Sequence, residues 1–492
     1  LDAIDQRLAA QFPDYARLAR PKPLALPATQ GLLRKDEALI VLFDVPRSGT
    51  LPEETLAWAV TKDEARWVSI PLGTDGLAKR VAKLRCGLDR EGQWAWVGQS
   101  QRWEAKSEPC RTLAPDGLAD GKPLPFHLRT AHELYAQLLA PFADLTRDKH
   151  LIIVPSGPLT SLPFHVLVTD LRNEADSAGL PRAWLVLSQP ITVLPSVGSL
   201  QALRKLPPSQ ASAPYIAFGN PLLDGVADDG ARAKLARTKQ NCPQEVETPR
   251  RRVAAAGRGT PGLGDIFRGG VDLALLRAQA PLPETADELC AVAKSLGVLG
   301  READTVWLGA RATEANLKAL SRAGTLARYR VLHFATHGVL AGESETILNA
   351  KAEPALLLSP PKDAATLAAL EEDDGLLAAS EVAQLALDAD WVVLSACNTA
   401  AGGKGDAEAL SGLARAFFYA KARALLVSHW YVNSEAAVKL TTGAFDALRA
   451  DTRIGRAEAL RRSMARLIMA GRQDEAQPEY WAPFVLVGED AR

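Results

Sequence analysis

Val331-Leu332-His333-Phe334-Ala335-Thr336-His337-Gly338 and Trp391-Val392-Val393-Leu394-Ser395-Ala396-Cys397-Asn398-Thr399-Ala400 decide how this 492-residue chain is read. Each is a short apolar run that gives way to a side chain with chemistry of its own. The first releases an imidazole followed by glycine, the second a thiol followed by polar residues. Near-continuous apolar runs of this length mark strands buried on both faces, as in parallel sheets. In such sheets ligands sit at the carboxyl ends of the strands, which is where His337 and Cys397 fall. A cysteine attacks a carbonyl as thiolate, and a nearby imidazole both lowers the thiol pKa and later protonates a leaving amine. Gly338 lets a substrate backbone approach, and its N–H, with that of Cys397, is placed to hold an oxyanion.

Each residue also has a plainer reading. A cysteine closing an apolar strand is commonly a small buried hydrophobe, and His-Gly after a strand is commonly a turn. Their joint occurrence at one sheet edge is what favours catalysis. His333 and His337 are four apart, a spacing that would share a metal ion on a helix. On a strand, at ~3.3 Å per residue, they stand ~13 Å apart, so no metal or other cofactor is expected and His333 reads as a hydrogen-bonded core histidine. His429, ending Val427-Ser428-His429, is assigned to packing. There is no Gly-x-Ser-x-Gly elbow, and Gly403-Lys404-Gly405 lacks the Ser or Thr of a phosphate loop.

Working outward, the same alternation of apolar strand, loop and amphipathic helix fills residues 211–492. Strands are expected at 215–218, 305–308, 331–334, 391–394, 424–427 and 484–487, with helices through Leu413 and Phe417 and from Ser434 onward. That pattern predicts an α/β class with a mostly parallel sheet covered on both faces. Residues 126–210 start with a helix through Leu128, Ala131, Leu134 and Leu138, stopped by Pro141, followed by strands at 151–154 and 191–194. Residues 1–125 form a mixed α/β region, with a hairpin of 56–60 and 65–70 about Lys62-Asp63 and Trp94 and Trp96 on one strand face. Residues 224–280, polar and glycine-rich with Pro249-Arg250-Arg251-Arg252, read as a mobile insertion without regular structure.

The bulk numbers agree with a folded globular protein. Of all residues, 47% are hydrophobic and 23% charged, a globular balance. With 57 basic against 58 acidic residues, no nucleic-acid partner is called for, and no apolar run is long enough to span a bilayer. The five cysteines, few, odd in number and scattered, suggest no disulfide framework, hence a reducing, cytoplasmic compartment. A start at Leu1 rather than Met suggests that sequence precedes it.

Several motifs resemble one family. These are Leu151-Ile-Ile-Val-Pro-Ser-Gly-Pro-Leu-Thr-Ser-Leu-Pro-Phe164, Leu194-Pro-Ser-Val-Gly-Ser-Leu200, Phe218-Gly-Asn-Pro221, His333-Phe-Ala-Thr-His337-Gly, Leu394-Ser-Ala-Cys397-Asn-Thr and Tyr480-Trp-Ala-Pro-Phe484-Val-Leu-Val-Gly488. Together they resemble the CHAT domain, a caspase- and separase-related group of cysteine peptidases, over about residues 125–490. The His-to-Cys separation is near the roughly 50 residues of caspase-type proteases. The resemblance implies a caspase-like three-layer sandwich at 211–492, with 126–210 as a helper layer of the same region. It implies endopeptidase action on a protein substrate through a His337–Cys397 dyad. It further implies a stress- or defence-linked bacterial protease controlled by a partner or signal, with tetratricopeptide repeats N-terminal to it; a latent or non-catalytic scaffold is the alternative. Two departures bear on specificity. The usual Gly-Glu-Gly is Gly405-Asp406-Ala407-Glu408, and Trp-x-Val-Asp-Asp is Trp430-Tyr431-Val432-Asn433-Ser434-Glu435. The acids that in separase-like enzymes pair with a basic P1 side chain are thus absent from their usual places, which leaves an Arg preference open. Asp406, Glu408 and Glu435 are the candidates to supply that charge, although Glu435 also reads as a helix-start acid behind a Ser434 N-cap.

Overall fold

The computed structural model describes residues 24–98, 100–171, 183–226, 229–243, 273–298, 305–339, 354–362, 373–396, 409–430, 432–470, 472 and 474–490. These form two compact units. One contains the chain up to Lys205, residues about 429–430 and those from Gly443 on; the other contains Leu206–Ser428 and Val432–Thr442.

In the first unit, β1 (Glu37–Val45), β2 (Glu54–Val60) and β3 (Ala65–Ile70) form an antiparallel meander, with Trp58 opposite Trp67 across the expected hairpin. Helix α1 (Thr74–Arg85) follows. A small antiparallel sheet then holds β4 (Trp94–Val97), β5 (Arg102–Ala105) and β6 (Leu118–Ala119). Helix α2 (Leu128–Leu138) forms where the 3.6-residue pattern predicts it, burying Ala131, Leu134 and Leu138. His127 caps it, its Nδ1 accepting from the Thr130 N–H at 3.2 Å. Strands β7 (His150–Val154) and β8 (Ile191–Val193) then run parallel beside β1. Ile152 lies opposite both Leu39 and Thr192, and such wholly buried aliphatic side chains contribute roughly 1.5–3 kcal/mol each.

The second unit contains β9 (Ala213–Gly219), β10 (Val306–Leu308), β11 (Tyr329–Val339), β12 (Ala355–Leu357), β13 (Leu376–Ala378), β14 (Trp391–Ala396) and β15 (Ala424–Ser428). Its main sheet has the order β10-β9-β11-β14-β15, parallel throughout. The crossovers and flanks hold α3 (Gly230–Thr238), α4 (Leu273–Arg277), α5 (Pro283–Ser295) and α6 (Ala409–Tyr419). Alternation along β11 assigns the two covering layers. His333 faces Glu288 of α5 at 3.3 Å. Phe334, on the other face, stacks on Phe218 at 5.5 Å and meets Phe417 of α6 at 5.9 Å. Helix, sheet and helix therefore make three layers. Gly219 allows the first of these contacts, because a Cβ there would stand 2.6 Å from the Leu289 side chain and 2.8 Å from the Ala335 carbonyl. Helix α7 (Ser434–Ala450) starts in this unit, and the chain completes the first unit with α8 (Arg456–Ala470) and β16 (Phe484–Gly488), which lies beside β8. No described helix is long and apolar enough to cross a membrane.

Three expectations change. β11 does not end at Phe334. It continues through His337 to Val339, where the three-residue strands β12 and β13 add an antiparallel hairpin with Leu357 opposite His337. Within 224–280, α3 and α4 are regular helices, while 244–272, with the triple arginine, lies outside the described residues. Four of the five cysteines are paired, Cys86 with Cys110 and Cys242 with Cys290, at Cα separations of 5.2 and 5.5 Å. The pairs are 24 and 48 residues apart in sequence, so spacing alone did not reveal them. They remove the ground for expecting a reducing compartment. Reduction is expected to cost about 2–5 kcal/mol per bridge. Thermal unfolding with and without a thiol reductant measures it; equal melting temperatures would contradict the pairing.

Candidate active site

His337 and Gly338 lie in β11, one and two residues beyond its last parallel pair with β14, Thr336 opposite Ala396. The residue after Ala396 is Cys397, which lies outside the described residues, as do Asp406 and Glu408. His337 is half-buried. Its Nε2 stands 2.8 Å from the carbonyl oxygen of Ala280, to which a protonated Nε2 donates. That bond selects the tautomer in which Nδ1 carries a lone pair and can accept a proton. Burial lowers the pKa of His337. The Ala280 carbonyl and the Glu284 carboxylate oppose the shift, and Arg232 adds to it. The net direction favours the neutral imidazole, the form a general base requires. Thr336 binds its hydroxyl to the Leu357 carbonyl, tying the segment before His337 to the hairpin.

Gly338 lies opposite Leu356 of β12. Four residues before His337, His333 is fully buried between Tyr215 Oη, 2.9 Å from its Nδ1, and Glu288. It is a core histidine with polar partners, as expected. Glu435 is buried in the first turn of α7, its carboxylate 2.9 Å from Lys439 Nζ. Asn433, not Ser434, is the N-cap, since its side-chain oxygen accepts from the N–H groups of Glu435 and Ala436 at 2.9 and 3.3 Å. An amide oxygen caps as well as a hydroxyl, so the cap falls one residue earlier than expected.

Sequence reasoning missed Ala280 and Arg232, because both lie in the stretch read as an irregular insertion, and it gave no role to Pro281 and Glu284 just after it. Arg232 of α3 donates to the Pro281 carbonyl at 2.9 Å and to both Glu284 oxygens at 2.9 and 2.8 Å. Asn220, in the Phe218-Gly-Asn-Pro221 motif, adopts a left-handed φ of 51° at the carboxyl end of β9. Its side-chain amide donates to the Ala236 and Lys239 carbonyls, and its backbone N–H to Thr285 Oγ1, each at 2.9 Å. The helix-start signal Pro283-Glu284, proline at N1 and an acid in the first turn, was the clue available in the sequence.

No curated protein sequence matches this one. Two crystal structures of the Saccharomyces cerevisiae separase–securin complex, at 2.6 and 3.0 Å resolution, are similar to it with a TM-score of 0.43 and 10% identity. Each similarity covers 94% of this chain and 30% of the matched chain, so the chain spans about a third of that length. The sequence model of the CHAT domain matches residues 128–489. Almost three quarters of the sequence is thereby covered, and the chain belongs to the CHAT-domain family.

Proposed function

We propose that the chain is a cysteine endopeptidase that cuts a protein substrate, with Cys397 as nucleophile and His337 as general base and acid. The observation that carries this reading is the register of β11 and β14. Thr336 is the last residue of β11 paired with β14, opposite Ala396, and these two partners are the residues that directly precede His337 and Cys397 in the sequence. The disulfides add weight, because with Cys86, Cys110, Cys242 and Cys290 joined in pairs the one remaining cysteine of the sequence is Cys397. An odd cysteine beside two bridges is the candidate reactive thiol.

In the proposed cycle, His337 Nδ1 takes the thiol proton, the thiolate attacks the scissile carbonyl, and the imidazolium returns the proton to the leaving amine. Water then hydrolyses the acyl-enzyme. The N–H groups of Gly338 and Cys397 hold the oxyanion. For a basic P1 side chain we retain Asp406 and Glu408, since the Glu435 carboxylate is already paired with Lys439. Control by a partner protein or signal belongs to the same reading. Peptide-library cleavage profiling, with Cys397→Ala as the blank, tests it. Cut sites present only in the wild type support the peptidase. No cut sites, together with no labelling by a thiol-reactive peptide probe, would point to a signalling scaffold.

A further inference from the structure

We propose that Arg232 is a positioning residue for His337: it holds the turn at 278–282 so that the Ala280 carbonyl meets the imidazole Nε2–H. The proposal rests on reading His337 as the base of the dyad. The chain of contacts is short. The Arg232 guanidinium reaches the Pro281 carbonyl through both Nε and one terminal nitrogen, at 3.3 and 2.9 Å, and grips the Glu284 carboxylate with the same terminal nitrogen. The Pro281 carbonyl lies one peptide plane beyond the plane that carries the Ala280 oxygen, and the pyrrolidine ring locks φ between the two, so anchoring the Pro281 carbonyl restrains the direction of the Ala280 oxygen. Glu284 lies in the first turn of α5, where an acid is favoured by the helix dipole. The arginine therefore ties the turn to the start of the helix that follows.

The remaining links between α3 and α5 do not do this. Lys239 pairs with Asp287, Asn220 bonds both the end of α3 and Thr285, and the Cys242–Cys290 bridge joins the segment after α3 to the middle of α5. Of these only Thr285 reaches the turn, its hydroxyl donating to the Leu282 carbonyl at 2.7 Å, and none of these links bonds the Pro281 carbonyl. Arg232 contacts the carbonyl next to the one His337 uses, and its loss leaves the helix–helix links in place. A lysine carries the charge without the planar fork, so it cannot reproduce the two-acceptor geometry. The pair also sets the field at the imidazole, with Arg232 opposing and Glu284 favouring its positive charge. Removing Arg232 leaves Glu284 unopposed.

Ring 15N NMR of histidine-labelled full chain tests the proposal, with the His337 signal assigned by its loss in His337→Ala. In the wild type the neutral ring is expected to hold its proton on Nε2. In Arg232→Ala the two tautomers are expected to mix, and Arg232→Lys is expected to recover only part of the wild-type preference. Peptide cleavage by Arg232→Ala is expected to fall on the order of 10²-fold, mainly in kcat, the usual consequence of a catalytic group misplaced by about 1 Å. The wild-type tautomer in both folded variants would overturn the proposal. Should Arg232→Ala not fold, the tautomer in Arg232→Lys decides alone. The NMR readout needs no substrate, so a wild type that cleaves nothing would overturn the peptidase reading and leave this result standing on its own.

Discussion

Cys397→Ala is expected to abolish peptide cleavage, a loss of about 10⁴- to 10⁶-fold in kcat, comparable to removal of a nucleophile in other covalent hydrolases. Alanine offers no atom to form the acyl-enzyme, and water held at the same place is a poor substitute for a thiolate. His337→Ala is expected to lose nearly as much. Nucleophile and base act as a unit, so the double variant should be no worse than the poorer single one. Thiol bookkeeping makes the experiment clean: the other four cysteines are joined as Cys86–Cys110 and Cys242–Cys290, so the substitution orphans no disulfide partner. Substrate binding should survive, because the substitution only shortens one side chain. Cleavage by Cys397→Ala at the wild-type rate would refute the mechanism, and loss in Cys397→Ala with full activity in His337→Ala would refute the dyad.

The strands that lead up to these two residues were legible because a buried parallel strand needs an unbroken apolar run, and 331–334 and 391–394 supply it. What was not legible is how far β11 runs. Ala335, Thr336, His337 and Gly338 are not strand-like by composition. Ala335 and Thr336 are extended because they pair with Ser395 and Ala396 of β14, and His337 and Gly338 because Leu357 and Leu356 of β12 pair with them; a three-residue strand is too short to carry a period. The same reason hid the support of His337. The orienting group is a backbone carbonyl, which any residue at 280 could present, so no side-chain pattern marks it. Its anchor, Arg232, lies 48 residues upstream in a polar stretch whose composition resembles a loop. The disulfides were missed because pairing depends on the fold. Cys110 meets Cys86, on the turn directly after α1, only once the chain has returned through β4 and β5.

Lowering the pH from 6.5 to 4 is expected to cost the first unit about 3 kcal/mol of stability through His165 alone. His165 and His429 are each 2% exposed, and the Nδ1 atom of each is buried without a hydrogen-bond partner among the described residues. Burial pushes the pKa of His165 down to about 4. Burial drives His429 well below its ordinary value, and the positive charges of Arg85 and His165 add to the shift. Arg85 is held there by Asp89 at 2.7 Å and by the His429 carbonyl at 3.3 Å, so its charge cannot move away when the pH falls. In the unfolded chain both imidazoles titrate near 6.5. Between 6.5 and 4 the unfolded state therefore binds more protons than the folded one, and stability declines as pH declines. Above 6.5 both states are neutral and the stability is fully present; below about 4 the His165 contribution is gone. Urea unfolding of wild type and His165→Gln from pH 8 to 4 tests this, because the carboxylates titrate equally in both proteins and the difference is confined to His165 and its electrostatic neighbour His429. The variant should show a shallower loss between 6.5 and 4, with the two curves converging toward pH 4. Parallel curves over the whole range would mean that His165 is not held neutral by the fold, and that the acid limit of this protein is set elsewhere.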